Sequence, residues 1–598
     1  MALLSIPLLA LLSLSALAIY KFLIHPLFLS PLSRIPSAHW SAPLSRLWIL
    51  NARRQELETF AIHAAHSRLG PIIRIAPNEI SVNSVDGGIR TIYSGGYEKG
   101  TWYSNVFCNY GVSPMFAMSK HGEHSRRKRM LSNVYAKSTL QGSKGLDAIT
   151  DSLINERLIP RLRELAASGE PAEFYFLLSA IVTDFVSSYI FGLSQGSNYT
   201  QDPGMGRKFF WDYKARQRFQ FWPQDLPSFT RWMGKWVVPE WVGAANADIE
   251  AWVMGMCEGA EEAVRVVETE ERNWPTVYAQ LRSALVKEDS AQAKSEGKDV
   301  DVAEIVRKRK LDIASELLDH TLAGFDTSSI TLTFLAWELS KPAHIPWQER
   351  LRSEVAECRS RDAKELDALP ILHAILMETL RLHAAIPGNQ PRITPSNATL
   401  GPYTNLPANI RVQSQAWSLH REPSVFPEPE AWDPARWLPP THPLATSSEE
   451  QMREMQRWFW AFGSGGRMCV GSNLAMLDMK AIVAGIWGRF GTEGVGEGRG
   501  MRHNESPFAG QEEHFSSAKK IGRPPGSEVK AGSRPAHPHP RAGQVFLPSK
   551  PGNVSDYEWS VAGLAARTQR RLFHSSLTNG AGSGGVQRGL AIAAGGKV

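Results

Sequence analysis

One cysteine of this sequence stands in a glycine-rich turn whose chemistry suits a metal ligand. Residues 462–471 read F-G-S-G-G-R-M-C-V-G, and an apolar helical pattern follows from Leu474 to Phe490. The glycines allow a tight turn, and a position just before a helix lets the helix dipole stabilise a thiolate at Cys469. A single thiolate among backbone amides suits an axial ligand to haem iron. A buried structural thiol is the alternative for an isolated cysteine, but it does not account for the whole ten-residue pattern.

An acidic and a basic residue stand together in an apolar stretch. Glu378 and Arg381 are three residues apart in a helical pattern, so they share a face and can form an ion pair. Such a pair is commonly a solvated surface pair. Here the flanking residues are strongly apolar, which predicts a buried pair, and buried charges need full hydrogen bonding.

Polar residues interrupt a second apolar helical pattern, over residues 311–341. Residues 323–328 read A-G-F-D-T-S between core-like flanks. Glycine and the Asp-Thr pair weaken a helix, because the polar side chains compete for backbone groups. A local opening there can hold water, whereas the alternatives are an ordinary N-cap or a solvated face.

A basic segment, H-S-R-R-K-R over residues 124–129, opens another helical pattern. A solvated basic face is one interpretation of this segment. The other is a set of side chains that bind an anionic group or an acidic partner protein.

The cysteine segment resembles the haem-binding signature of the cytochrome P-450 superfamily, F-x-x-G-x-R-x-C-x-G. Every fixed position of that signature is matched here, by Phe462, Gly465, Arg467, Cys469 and Gly471. The resemblance implies that Cys469 ligates the iron of haem b, that Phe462 covers the sulfur and that Arg467 binds a haem propionate.

The acidic-basic pair and a downstream segment also resemble this superfamily. Glu378 and Arg381 match its E-x-x-R motif, and Pro434-Ala435-Arg436-Trp437 matches its P-x-R-[FW] segment with Ala435 where glutamate is frequent. The resemblance implies a structural role for Glu378, Arg381 and Arg436, which would hold the core under the cysteine loop.

Residues 323–328 resemble the superfamily's oxygen-activation motif, A-G-x-[DE]-T-[TS]. The resemblance implies that Thr327 hydrogen-bonds the bound oxygen molecule and that Asp326 relays protons. It also implies that His124, Lys128 and Arg392 contact the propionates. The expected fold is mainly α-helical with small β-sheets.

Composition and hydropathy set the organisation of the chain around these motifs. The 598 residues carry a net charge of +7 and four cysteines, too few for a disulfide framework. Residues 2–19 are uncharged, and the apolar run to residue 29 is long enough to cross a bilayer. Because basic residues follow this run and none precedes it, it predicts an uncleaved anchor with a cytosolic domain, whereas the alternative is a removed secretory signal.

We predict four parts of the chain: a membrane anchor over 1–29, a stiff Pro-rich linker over 30–45, a catalytic domain over 46–500 and a tail over 501–598. Gly, Pro, Ser, His and Arg dominate the tail, so a disordered segment is expected there. A strand pair is predicted over 71–83 and surface loops over 286–300 and 439–456.

The sequence therefore predicts a single-pass protein of the endoplasmic reticulum membrane that is a haem-thiolate monooxygenase. It would use O2 and act on an apolar small molecule, as expected for aromatic clusters at 102–116 and 209–222. Electrons would come from NADPH through a separate flavoprotein reductase, because no reductase domain is recognised in the chain. No nucleic-acid motif is present. The resemblance to filamentous-fungal members suggests secondary metabolism.

Two alternatives stay open at this stage. One is a haem-thiolate isomerase or dehydratase that needs no reductase, which Asp326 and Thr327 argue against. The other is an inactive haem-binding membrane protein with a damaged C-terminus.

Overall fold

Helices form most of the structure, as the apolar periodicity predicts. The computed structural model describes residues 2–168, 172–266, 269–494 and 544–547. The α-helices are α1 Ala2–Ile19, α2 Leu47–Arg54, α3 Glu58–Leu69, α4 His121–Leu131, α5 Lys137–Gln141, α6 Lys144–Asp151, α7 Ile159–Ser168, α8 Phe174–Phe191, α9 Pro203–Gln217, α10 Phe221–Asp225, α11 Pro227–Val237, α12 Glu240–Arg265, α13 Thr276–Ser295, α14 Val302–Leu339, α15 Ile345–Ala356, α16 Ala363–Asp367, α17 Pro370–Leu382, α18 Ala416–Leu419, α19 Glu449–Trp458 and α20 Ser472–Trp487.

The β-structure is small and lies in three sheets. The strands are β1 Ile72–Ala76, β2 Glu79–Val82, β3 Arg392–Ile393, β4 Ala398–Leu400, β5 Tyr403–Leu406, β6 Arg411–Gln413, β7 Gly491–Gly494 and β8 Gln544–Leu547. The largest sheet has the order β1-β2-β6-β3, in which β2 and β6 are parallel and the other pairs antiparallel. The predicted strand pair over 71–83 is β1 and β2.

The N-terminal apolar segment stays outside the core of the protein. Helix α1 continues as a π-helical segment over Tyr20–Leu29. The span Pro7–Leu29 has a mean hydropathy of 2.0 and none of it is buried. This segment is long and apolar enough to cross a membrane.

The predicted linker packs on the domain that follows it. Leu32 and Ile35 are buried in one hydrophobic cluster with residues of β1 and β2. Arg74 of β1 donates from its backbone to Pro36 O at 2.8 Å and from its guanidinium to Pro26 O at 2.9 Å. The segment after the anchor is thus fixed to the sheet by burial and by hydrogen bonds.

Helices α8 and α14 form the centre of the domain. Helix α8 is apolar enough to cross a membrane, but 89% of it is buried inside the protein, so it is a core helix. A Cβ added at Gly324 of α14 would lie 2.9 Å from Val186 Cγ1 of α8. Gly324 therefore allows the two helices to approach closely, and α14 continues unbroken through residues 323–328.

Two predicted loops are partly wrong: residues 286–295 and 449–456 form helices, whereas residues 296–300 and 439–448 lie outside helices and strands. Residues 286–295 belong to α13, where alanine, lysine and glutamine favour helix despite the polar character of the stretch. Residues 449–458 form α19, which begins at a capping box made by Ser448 and Gln451. The helix is mostly exposed, so its polarity reflects solvent contact.

The predicted tail lies largely outside the described residues. This holds for 501–543 and 548–598, and for the predicted end of the catalytic domain at residue 500. Gln544–Leu547, within the tail, forms β8 and pairs in parallel with β7.

Candidate functional site

The cysteine-bearing segment folds into a closed turn before α20. Cys469 N donates to Phe462 O at 3.0 Å, and Met468 N donates to Gly465 O at 3.1 Å. Gly465 has a φ of 71°, and a Cβ at this position would lie 2.3 Å from the carbonyl oxygen of Tyr93. Glycine is required there for its conformation and for the close approach.

Cys469 is exposed to solvent, but neighbouring protein atoms still partly desolvate its thiol. Burial raises the pKa of the Cys469 thiol, and backbone N–H groups of Gly471 and Ser472, at the start of α20, act in the opposite direction. The thiolate is thus only partly stabilised by the protein. A bound metal cation would supply the missing stabilisation, since it deprotonates a ligating thiol.

A fully buried ionic frame lies on α17 and the segment after it. Arg381 Nη2 and Nε each donate to a Glu378 carboxylate oxygen at 2.8 Å, and Arg436 Nε donates to Glu378 Oε1 at 3.2 Å. Trp437 Nε1 and the Asp433 backbone N–H also donate to Glu378, both at 2.9 Å. The structure therefore brings Glu378, Arg381 and Arg436 together with their hydrogen bonds satisfied.

His420, which the sequence reasoning missed, joins this frame to the cysteine segment. Its Nδ1 lies 2.8 Å from Arg381 O, and Trp460 N donates to its Nε2 at 2.7 Å. Burial lowers the pKa of His420 to about 3, so the ring is neutral and donates through Nδ1–H. No pattern in the sequence marks this histidine, because its partners are backbone atoms far away in the chain.

Four basic side chains converge beside the cysteine segment. They are Lys99, His124, Arg392 and Arg467. The charges of Arg392 and Arg467 lower the pKa of Lys99, and the charges of Arg467 and Lys99 lower that of His124. Arg392 likewise lowers the pKa of Arg467. Among the described residues, none of the four has a carboxylate oxygen within 4.0 Å. Glu98, the carboxylate that acts on Arg467, instead pairs with Lys120 at 3.1 Å.

Backbone carbonyls and one phenol hold these basic side chains in place. Arg467 donates to Met118 O at 2.7 Å and to Ser119 O at 2.8 Å. Arg392 Nη1 donates to the Tyr103 hydroxyl oxygen at 2.9 Å, and Lys99 Nζ donates to Phe116 O at 2.5 Å. Lys128 differs, because its Nζ donates to Gly466 O and Met468 O, both at 3.0 Å, and so supports the cysteine turn itself.

The electrostatics of this cluster fit an anionic group. Lys99 and Arg392 are buried, and burial together with neighbouring positive charge lowers the pKa of Arg467 to about 10 and that of His124 to about 3, so the His124 ring is neutral. Buried cations without a counter-ion are costly. The two propionates of a haem would neutralise the cluster while the thiolate of Cys469 neutralises the iron. The donor set therefore fits haem.

Helix α14 presents the predicted oxygen-activation residues. Thr327 Oγ1 donates to Ala323 O at 2.9 Å, and Ala323 is exposed although the helix around it is mostly buried. Asp326 forms an ion pair with Lys214 and accepts a hydrogen bond from the Tyr213 hydroxyl at 3.2 Å, both residues being on α9. The carboxylate that is predicted to relay protons is thus joined to a neighbouring helix.

Sequence reasoning missed Lys99, Tyr103, Lys214 and Tyr213 as well as His420. Tyr103 stands among the aromatic residues at 102–116 and Lys99 stands three residues before them, so a lysine next to an aromatic-rich segment was the available signal. Lys214 and Tyr213 stand within the second aromatic cluster, at 209–222. In both cases the partner lies on a distant element, which a single sequence does not reveal.

Comparison with known proteins gives a consistent result. The family model "Cytochrome P450" matches residues 89–506. The chain is 27% identical to the cytochrome P450 monooxygenase avaI of Aspergillus versicolor over 425 residues, which cover 69% of this chain and 93% of that protein. It is 25% identical to the monooxygenase macH of Penicillium terrestre, covering 79% and 89%. It is 24% identical to tryprostatin B 6-hydroxylase of Aspergillus fumigatus, covering 79% and 76%.

Proposed function

Since the chain belongs to the cytochrome P450 family and is a monooxygenase of it, we propose that it holds haem b through Cys469 and oxygenates an apolar small molecule. When bound, a thiolate-ligated haem supplies the binding and reductive activation of O2. The observation that carries the proposal is the pairing of one accessible cysteine with a cluster of buried cations that have no counter-ion among the described residues.

The roles of the surrounding residues follow from their contacts. Lys99, His124, Arg392 and Arg467 bind the propionates, and Lys128 holds the cysteine turn through two of its carbonyls. Phe462 packs at the edge of the core and accepts the Cys469 N–H, so it fixes the turn from the other end.

Proton transfer is assigned to the polar residues in the middle of α14. The Thr327 hydroxyl holds a proton next to the exposed Ala323, and Asp326, which Tyr213 and Lys214 hold in position, relays protons towards it. This supports oxygenation over the reductase-independent isomerase chemistry, which requires no proton relay.

An apolar substrate is supported by aromatic residues around α9 and α14. The rings of Phe209, Phe210 and Tyr213 lie 4.9–5.6 Å from the ring of Phe325. Phe209 and Phe210 are themselves buried, so they pack in the hydrophobic core behind α14. Aromatic walls suit an apolar ligand with few polar groups.

A membrane location is supported by two exposed apolar regions. The Pro7–Leu29 segment is unburied, and α11 exposes Trp232 by 79% and Trp236 by 74%. Tryptophan is favoured at the interface of a bilayer. We therefore place the chain in the endoplasmic reticulum membrane by a single span, with its catalytic domain cytosolic and with apolar substrate entering from the lipid.

Electrons are proposed to come from NADPH through a separate flavoprotein reductase. Arg126 and Arg129 are exposed on α4 and can contact an acidic partner, whereas Arg127 is buried and pairs with Glu316 at 3.3 Å and Asp312 at 3.5 Å. Similarity to fungal enzymes such as tryprostatin B 6-hydroxylase supports a place in secondary metabolism.

The thiolate ligand is tested by spectroscopy of the purified protein. We expect the reduced protein to give, with CO, the Soret band typical of thiolate-ligated haem, and Cys469→Ser to lose it. Cys257→Ser, at a buried cysteine of α12, is the matched control and should keep the band. A wild-type protein without the band would exclude the proposal, and turnover without NADPH would favour the isomerase alternative.

A further inference from the structure

Asp319 occupies the same face of α14 as the oxygen-activation residues. Asp319, Ala323 and Thr327 are spaced by four residues, so their side chains follow one stripe of the helix. Ala323, in the middle of this stripe, is exposed, and Asp319 is partly exposed, whereas Leu317, Leu318 and Thr321 are buried. The Asp319 carboxylate therefore opens onto the accessible side of α14 that also carries Thr327.

The other five carboxylates of α14 each form an ion pair with a cationic side chain. Their partners are Lys308 for Glu304, Arg127 and Arg309 for Asp312, Arg127 for Glu316, Lys214 for Asp326 and Lys341 for Glu338. Asp319 has neither an ion pair within 4.0 Å nor a hydrogen bond to any described residue. Asp319 is therefore the one carboxylate of α14 that has no cationic partner among the described residues.

Lys99, a cation that acts on Asp319, is already engaged elsewhere. Lys99 acts electrostatically on Asp319, but its ammonium donates to Phe116 O and lies 4.0 Å from the centre of the Tyr103 ring and 3.9 Å from that of Phe116. It also belongs to the cluster assigned to the propionates. Lys99 is thus positioned between that cluster and Asp319 without forming a contact ion pair with the carboxylate.

We propose that Asp319 is a specificity-determining residue that binds a positively charged nitrogen of the substrate. A carboxylate at an apolar site is costly unless an opposite charge neutralises it, and a cationic ligand on the accessible side of α14 would do so. The inference rests on the proposed function and narrows it: the substrate is a largely apolar molecule that carries an ammonium or a similar cationic group.

The protonation state of Asp319 gives the proposal a pH signature. Burial raises the pKa of Asp319 to about 7, and the charged and titratable groups that act on it are His320 and Glu316 on α14 and Lys99 on the segment before α4. The carboxylate is therefore charged above about pH 7 and neutral well below it. Preference for a cation should increase as the pH rises through this value.

Two probes of equal shape and different charge test the proposal with the holoenzyme. Phenyltrimethylammonium carries a permanent charge and cannot ligate iron through its nitrogen, and tert-butylbenzene is its neutral isostere. Binding is measured by the change of the haem absorption spectrum and by calorimetry. At pH 8 we expect the cation to bind the wild type about tenfold more tightly than the isostere, which corresponds to about 1.4 kcal/mol.

Variants of α14 separate the charge from the shape of the site. Asp319→Asn should lose the preference and its pH dependence while keeping its affinity for tert-butylbenzene, and Asp319→Glu should retain a preference. Glu304→Gln removes a charge from the exposed start of the same helix and should behave as wild type.

Three results would overturn the inference: equal affinity of the wild type for both probes, no binding of either probe, or an unchanged preference in Asp319→Asn. Failure of the proposed function would look different, since the protein would then lack the CO-dependent Soret band before any probe is added.

Discussion

The two sides of the cysteine segment differ in how their charges are balanced. On the side of α17, Glu378 accepts from two arginines, one indole and one backbone N–H, so a fully buried carboxylate is completely paired. On the side of α4 and α14, Lys99 and Arg392 are buried without a carboxylate partner among the described residues, and Asp319 has no cationic one. Satisfied charges fix the structure, whereas unsatisfied charges mark where ligands bind.

The largest expected effect comes from breaking the paired side. Glu378→Gln leaves the buried Arg381 without its counter-charge, and loss of one partner of a buried ion pair costs about 3–5 kcal/mol. We expect a lower free energy of unfolding and poor recovery of haem-loaded protein, measured by chemical denaturation and by the haem content per chain.

Glu449→Gln provides the control for that change. Glu449 pairs with Arg453 on α19, and both side chains are at least 70% exposed. Exposed pairs contribute little to stability. If Glu378→Gln were as stable as Glu449→Gln, the paired side would not be the rigid support that its contacts indicate.

A smaller effect is expected from pH at His420, which connects the paired side to the cysteine segment. Its pKa is lowered to about 3 by burial, against about 6.5 in an unfolded chain. Between these values the unfolded state binds a proton that the folded state does not, so stability falls as the pH drops from about 6.5 towards 3. The expected slope from this group is about 1.4 kcal/mol per pH unit.

Denaturation curves of the wild type and of His420→Asn between pH 7 and pH 4.5 measure this slope. The variant should be less stable at pH 7 and should lose stability more slowly on acidification. His373→Asn, at a histidine whose pKa burial lowers to about 4, tests whether any desolvated histidine gives the same slope. Parallel curves for His420→Asn and the wild type would contradict the assignment.

The difference between locally encoded contacts and contacts between distant residues explains what the sequence could and could not predict. The cysteine turn, the Glu378–Arg381 pair and the helical centre were predictable, because local motifs and apolar periodicity encode them. Lys99, Lys214 and His420 were not, since each acts on a residue that is distant in the chain. Residues 286–295 and 449–456 were mistaken for loop because solvent-exposed helices are polar on much of their surface.

A substitution at Lys99 has the smallest expected effect but best discriminates the paired charges near α17 from the unpaired charges near α4 and α14. Lys99→Met keeps an unbranched side chain against the rings of Tyr103 and Phe116 but removes a buried cation without a carboxylate partner among the described residues. The haem-free protein should become slightly more stable, although loss of the hydrogen bond to the Phe116 carbonyl offsets part of this gain. The haem should be held less tightly by about 1–2 kcal/mol, which corresponds to roughly a tenfold faster dissociation. Lys120→Met, which removes an exposed lysine paired with Glu98, should change neither the stability of the haem-free protein nor the haem dissociation rate.

Thermal unfolding of the haem-free form and haem transfer to an acceptor protein measure the two effects of Lys99→Met. Opposite signs are expected only if the cluster is built for an anionic ligand, because a cation that merely stabilised the fold would lower stability in both forms when removed.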